Sequence, residues 1–135
     1  MNGVSMKELM ERAKQARTRA YAPYSGFFVG AALLCEDGTV FEGCNVENAS
    51  FSPTCCAERV AIFSAVSQGK RSFSAIALAG GKGEEPFSMV TPCGVCRQVL
   101  SEFCSPDFPV LTVGENGEIR TVSLGALLPE GFSLS

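Results

Sequence analysis

The sequence predicts an α/β fold: a five-stranded mixed sheet between helices, in a three-layer α-β-α sandwich. Three observations carry this expectation. A capping box opens a run of apolar residues at helical spacing. Short apolar, strand-like runs recur, two of them joined across an Asp-Gly step. Two cysteine-bearing segments, each reading as the start of a helix, alternate with those runs, giving the order α-β-β-α-β-α-β-β.

Ser5-Met6-Lys7-Glu8 is the capping box, and Met6, Leu9, Met10, Ala13 and Ala16 follow on one face. The first helix is therefore expected from about 5 to 20, its lysines and arginines forming a solvated face. Tyr21-Ala22-Pro23-Tyr24-Ser25-Gly26 breaks it. Phe27 to Cys35 and Thr39 to Cys44 flank Asp37-Gly38, so strands one and two are expected as antiparallel neighbours. Asn45-Val46-Glu47-Asn48-Ala49-Ser50 then forms a polar stretch where a loop is well placed to bind a ligand.

Pro53 is expected in the first turn of the second helix, where its missing N–H costs nothing. Gly69 should stop that helix near Gln68. Phe73 to Leu78 reads as the third strand. The glycine-rich run from Gly80 to Pro86 reads as a flexible loop, because it lacks the Lys-Ser/Thr ending of a phosphate loop. Pro92 leads into a third helix through about Phe103. Val110 to Val113 and Ile119 to Val122 are strands four and five across a Glu-Asn-Gly-Glu turn, and Ser123 to Leu128 is one helical turn. No repeat or linker interrupts residues 1–135, which read as a single domain.

Composition narrows the function. The 135 residues are 46% apolar and 19% charged, with a formal net charge of −3. That acidity argues against a nucleic-acid partner, since no basic stripe is available to track phosphates. No apolar run approaches the length of a membrane span. The chain opens on a charged helix rather than a signal segment. Seven cysteines is an odd number, so they are read as reduced thiols of a cytoplasmic protein. There is no histidine. An imidazole base is thereby excluded, and a zinc site would have to rely on thiolates or carboxylates.

The chemistry-bearing residues fall in two places. Cys55-Cys56-Ala57-Glu58-Arg59 puts thiols, a carboxylate and a guanidinium at a helix start, where the dipole and free N–H groups favour thiolate. Cys93-Gly94-Val95-Cys96 is a C-x-x-C pair, which alone fits either a redox dithiol or half of a zinc site. A third thiol at Cys56 or Cys55 favours metal. Three thiolates leave tetrahedral zinc one open position, as catalytic sites require. Spacing does not decide whether Cys35, Cys44, Cys55 or Cys104 closes the site. Glu58 could move protons at such a site as a general acid–base. Three thiolates on a divalent ion carry an excess negative charge, which Arg59 is expected to neutralise.

Cys56-Ala57-Glu58, 33 intervening residues and Pro92-Cys93-Gly94-Val95-Cys96 resemble the zinc nucleoside-deaminase signature. More narrowly, the chain resembles the small homotetrameric cytidine deaminases. The likeness runs through Phe27-Phe28-Val29-Gly30-Ala31-Ala32, Gly43-Cys44-Asn45-Val46-Glu47-Asn48-Ala49-Ser50, Cys93-Gly94-Val95-Cys96-Arg97-Gln98 and Leu127-Leu128-Pro129.

That resemblance implies Zn2+ held by Cys56, Cys93 and Cys96, with Cys55 not a ligand and Glu58 as proton shuttle. It implies a sugar site at Asn45 and Glu47, with Val46 in the same binding stretch. Phe27 would pack on the pyrimidine, the Ala57 backbone would meet the base, and Phe132 would stack on the base in a neighbouring subunit. The implied reaction is hydrolytic deamination of cytidine and deoxycytidine at C4, in pyrimidine salvage. The implied assembly is a homotetramer, with a small-molecule nucleoside as substrate and neither nucleic acid nor membrane as partner. Two alternatives stand beside it: a deaminase of another cytosine-bearing molecule such as blasticidin S, and a non-enzymatic zinc-stabilised binding module.

Overall fold

The computed structural model describes residues 4–50, 53–82, 90, 92–114 and 116–127. Among these residues, four helices and five strands run in the order α1 (Met6–Arg17), β1 (Phe27–Cys35), β2 (Val40–Cys44), α2 (Ala57–Ser67), β3 (Phe73–Lys82), α3 (Gly94–Phe103), β4 (Pro109–Val113), β5 (Ile119–Ser123) and α4 (Leu124–Leu127). The sheet order is β2-β1-β3-β4-β5. Only β3 and β4 pair in parallel, through Ile76–Val110 and Ala77–Leu111, while the other neighbours are antiparallel. The mixed five-stranded sheet is as the sequence predicts.

Strand alternation divides the core into two layers. Ala32, Leu34, Ala75, Ala77, Ala79 and Leu111 face one side, where Leu9, Met10 and Ala13 of α1 cover them. Ala31, Leu33, Ile76, Leu78 and Val110 face the other, under α2, α3 and α4. Full burial of Leu9 and Met10 contributes about 1.5–3 kcal/mol each before the entropy of ordering is counted. Ser5 caps the helix as expected: its hydroxyl accepts the Glu8 N–H at 3.1 Å, and it donates to the Glu8 carboxylate at 3.3 Å.

Two glycines let helices lie directly on the sheet. A Cβ on Gly30 would fall 2.0 Å from the Ala13 carbonyl oxygen of α1. A Cβ on Gly43 would fall 2.4 Å from the Ala57 carbonyl oxygen and 2.6 Å from the Ala61 nitrogen of α2. Both distances are far inside contact, so any larger residue must push its helix outward. The Gly43 contact fixes the height of the first turn of α2 above β2.

Helix α1 ends at Arg17, three residues before the expected end, and two further boundaries differ. Helix α2 begins at Ala57, four residues after Pro53, with Cys56 as its N-cap. The cause is a β-bridge: Val46 and Cys55 exchange both backbone hydrogen bonds at 2.9 Å, holding Cys55 extended. Gly80, Gly81 and Lys82 are not loop but the end of β3, paired with Val29, Phe28 and Phe27. Sheet pairing there overrides the low strand propensity of glycine. Residues 83 to 86 of that predicted loop lie outside the described residues. Among the described residues, no helix is long and apolar enough to cross a membrane.

Candidate metal centre and active site

The N-termini of α2 and α3 meet and bring three thiols together. Cys56 is the N-cap of α2, Cys93 the N-cap of α3, and Cys96 sits in the first turn of α3. Neither N-cap thiol makes a side-chain cap hydrogen bond. Both sulfurs are thus free to face a third partner, between two helix ends whose partial positive charges favour thiolate. The Cys56 and Cys93 sulfurs are 3.7 Å apart, Cys93 and Cys96 3.3 Å, and all three lie within 4.8 Å of one another.

This donor set fits zinc. Tetrahedral zinc with bonds of about 2.3 Å needs sulfurs about 3.8 Å apart, so small adjustments would seat the ion. The cluster contains three sulfurs and no carboxylate, which leaves one coordination position open among the described residues. Cys35, Cys44, Cys55 and Cys104 lie outside it. Burial pushes the Cys104 thiol up to about 12, as expected of an inert packed cysteine.

Cys56 gives up its proton more readily than an ordinary thiol. Its thiolate accepts from the Cys96 thiol and from Arg59, which together outweigh its burial and bring it down to about 5. That same thiolate, with burial, pushes Cys96 up. The Arg59 Nη2 donates to the Thr54 carbonyl at 3.2 Å and approaches the Cys56 sulfur at 3.6 Å. Its Nε is buried without a hydrogen-bond partner among the described residues, and contact with the Cys56 thiolate holds the guanidinium firmly charged.

Glu58 is 4% exposed, a carboxyl in the first turn of a helix packed on the sheet. Burial pushes it up to about 7, opposed by its own backbone N–H and the Cys96 thiol, and reinforced by negative charge on Cys56. A carboxyl poised near neutrality can both take and return a proton.

Of the sequence-predicted substrate residues, Val46 is bridged to Cys55, the neighbour of the first thiol, and Asn45 is tied to the start of β1. The Asn45 carboxamide closes on the start of β1: its Oδ1 accepts the Val29 N–H and its Nδ2 donates to the Phe27 carbonyl, both at 2.9 Å. One lone pair and one N–H of that amide remain for a ligand. Gly80, opposite Val29, leaves room for the Phe27 ring, because a Cβ there would lie 3.2 Å from Phe27 Cε2. Val46 points its backbone both ways, bridging Tyr21 and Cys55, and its side chain is exposed. The bridge ties the 45–47 stretch to the residue preceding the first thiol of the cluster. Ala57 is fully buried against Gly43. Phe132 lies outside the described residues.

Sequence reasoning missed the turn that holds Glu47. The Tyr24 and Ser25 N–H groups donate to Glu47 Oε1 at 3.1 Å each, and the Ser25 hydroxyl donates to Oε2. Together, led by the Ser25 hydroxyl, these bonds hold the Glu47 carboxyl below its ordinary value. The signal available was a serine before a glycine in a predicted turn. Arg97 was likewise given no role; it donates to the Leu127 carbonyl at 2.7 Å and so fastens α3 to α4.

Comparisons with known proteins agree with this geometry. The family model described as the cytidine and deoxycytidylate deaminase zinc-binding region matches residues 4–112. A cytidine deaminase of Sporosarcina psychrophila is 49% identical over 130 residues, covering 96% of this chain and 93% of that one. The crystal structure of cytidine deaminase from Burkholderia pseudomallei superposes with a TM-score of 0.86 at 49% identity, covering 96% of this chain and all of the other. A blasticidin-S deaminase of Bacillus cereus is 32% identical, over 90% of this chain and 88% of its own length. With a family match spanning all three thiols and Glu58, the chain belongs to the cytidine and deoxycytidylate deaminase zinc-binding family.

Proposed function

We propose that this chain is a zinc-dependent cytidine deaminase, converting cytidine and deoxycytidine with water to uridine and deoxyuridine plus ammonia. The observation that carries the reading is the buried Glu58 carboxyl beside a three-thiol cluster with one open position. Zn2+ held by Cys56, Cys93 and Cys96 supplies Lewis acidity that makes water a nucleophile near neutral pH. Glu58 takes the proton released as water adds to C4 and delivers it to N3 of the ring. The same carboxyl then carries a proton to the departing amine, so that ammonia leaves and a carbonyl remains at C4. Burial supports this double duty by holding Glu58 near neutrality.

Substrate orientation falls to the remaining residues. Phe27 packs on the pyrimidine and the Ala57 backbone meets its polar edge. Asn45, with Val46 beside it, and Glu47 receive sugar hydroxyls, one offering both donor and acceptor and the other only acceptors. Arg59 offsets the excess thiolate charge. Phe132 is proposed to stack on the base of a neighbouring subunit.

We extend the reading to a homotetramer of single-domain subunits in cytoplasmic pyrimidine salvage. Support for association is an apolar face on α2 and α3: Phe63 is 49% exposed and Val95 58%, beside a groove of about 600 Å³ that Val99 and Phe103 also line. Such a patch is typical of surfaces that another chain covers.

The resemblance to a blasticidin-S deaminase favours one second reading, another cytosine-bearing substrate. Ultraviolet assays on cytidine, deoxycytidine, deoxycytidylate and blasticidin S separate the two. Rapid turnover of the two nucleosides is expected. Turnover of blasticidin S alone would replace the nucleoside reading.

A further inference from the structure

The Glu47 carboxylate is held by one turn and on one side. Oε1 takes two backbone N–H bonds, from Tyr24 and Ser25 at 3.1 Å, which occupy both of its lone pairs. Oε2 takes the Ser25 hydroxyl and, among the described residues, keeps one lone pair free. The Ser25 Oγ in turn accepts the Phe27 N–H at 3.0 Å. A serine hydroxyl has a single proton, and here it is committed to Glu47. The turn that makes this possible passes through Gly26 at φ +69°, a conformation that favours glycine. Ser25 and Glu47 also line one open hollow of about 290 Å³ with Tyr24, Asn48 and Thr54, where Glu47 is the one charged side chain among the described residues.

From this geometry we propose that Ser25 is a positioning and specificity-determining residue: its hydroxyl links Glu47 to the backbone of Phe27, fixing the carboxylate so that one acceptor site meets a sugar hydroxyl. The inference rests on the reading of Glu47 as a sugar binder. Ser25 has no proton left to offer substrate, so it acts through Glu47 and not by contact. It also couples the two ends of the substrate site, because the same oxygen holds the backbone of the residue assigned to the pyrimidine. Without the hydroxyl, Oε2 is free to turn toward water, and the fixed geometry that favours a hydroxyl-bearing sugar is lost.

The test uses the zinc-loaded full chain with cytidine and 2′,3′-dideoxycytidine, in Ser25→Ala, Ser25→Thr, Glu47→Ala and the Ser25→Ala/Glu47→Ala double variant. Ser25→Ala is expected to raise KM for cytidine about tenfold with kcat changed less than about twofold, the size of one lost charge-assisted bond. The kcat/KM ratio of cytidine to the dideoxy substrate should fall by about the same factor. Ser25→Thr keeps the hydroxyl and should restore the ratio. In the Glu47→Ala background, Ser25→Ala should lower the ratio no further. Equal losses on both substrates, or losses that add in the double variant, would overturn the positioning role. A Glu47→Ala variant with an unchanged ratio would remove the sugar reading itself. A lowered ratio in Glu47→Ala with no change in Ser25→Ala would overturn the inference about Ser25 alone.

Discussion

The Arg59 guanidinium lies 3.6 Å from the Cys56 sulfur, one helical turn along the same element, and its Nε is buried with no hydrogen-bond partner among the described residues. An arginine is placed there at the cost of an unsatisfied donor, which a thiolate-rich centre offsets. Arg59→Gln should keep its zinc yet lower kcat about tenfold, since the missing interaction is one charged contact. The acid limb of the kcat profile should move to higher pH, because losing a positive charge disfavours every nearby deprotonation. Zinc analysis and a pH series on the variant check both; an unchanged rate and profile would remove the neutralising role.

Metal removal separates a working site from a structural one. The helix starts that carry the thiols are anchored by Ala57, Ala61, Ile62 and Leu100 in the core, independently of any ion. Chelated protein should therefore keep its far-ultraviolet circular dichroism, lose turnover, and regain it with added zinc. Unfolding on chelation would mark the cluster as a folding staple instead.

Gly43 sets the distance between β2 and the turn bearing Glu58. Gly43→Ala puts a methyl group 2.4 Å from the Ala57 carbonyl oxygen, so the helix must move. A loss of about 1–3 kcal/mol of stability is expected from this overpacking. Thermal denaturation measures it, and an unchanged midpoint would show that α2 yields freely.

Asp37 and Lys70 form an ion pair at 2.7 Å across the sheet edge. The lysine ammonium and the Thr39 backbone hold the Asp37 carboxyl well below its ordinary value of 3.8. The folded value is lowered, so this contribution is complete above the ordinary value and is lost as pH falls through the folded one. The pair is exposed and its contribution small. Asp37→Asn should lower stability slightly at neutral pH, and the difference from the parent should shrink in strong acid. A difference independent of pH would contradict the assignment.

Much of this was legible in the residues themselves. The Ser5 cap, the Asp37-Gly38 hairpin and the Gly69 stop depend on local chemistry, and each lies where that chemistry puts it. Spacing made Cys93, Cys96 and a third thiol at Cys55 or Cys56 readable as a metal pattern with Glu58 near it, and the resemblance to the deaminase signature selected Cys56. What sequence could not give came from long-range pairing. The Val46–Cys55 bridge delays α2 by four residues, and the partners of Gly80 and Gly81 turn an expected loop into strand. The grip of Ser25 on Glu47 spans 22 residues, and no periodicity within either segment encodes it.

The most direct measurement follows cytidine by ultraviolet absorbance with the parent chain and Glu58→Gln at equal zinc content. The account predicts rapid conversion to uridine by the parent. The variant should turn over about 10²–10⁴-fold more slowly, the range general acid–base groups supply. Substantial activity in Glu58→Gln would contradict the proton-shuttle role, and an inert, zinc-loaded parent would contradict the deaminase itself.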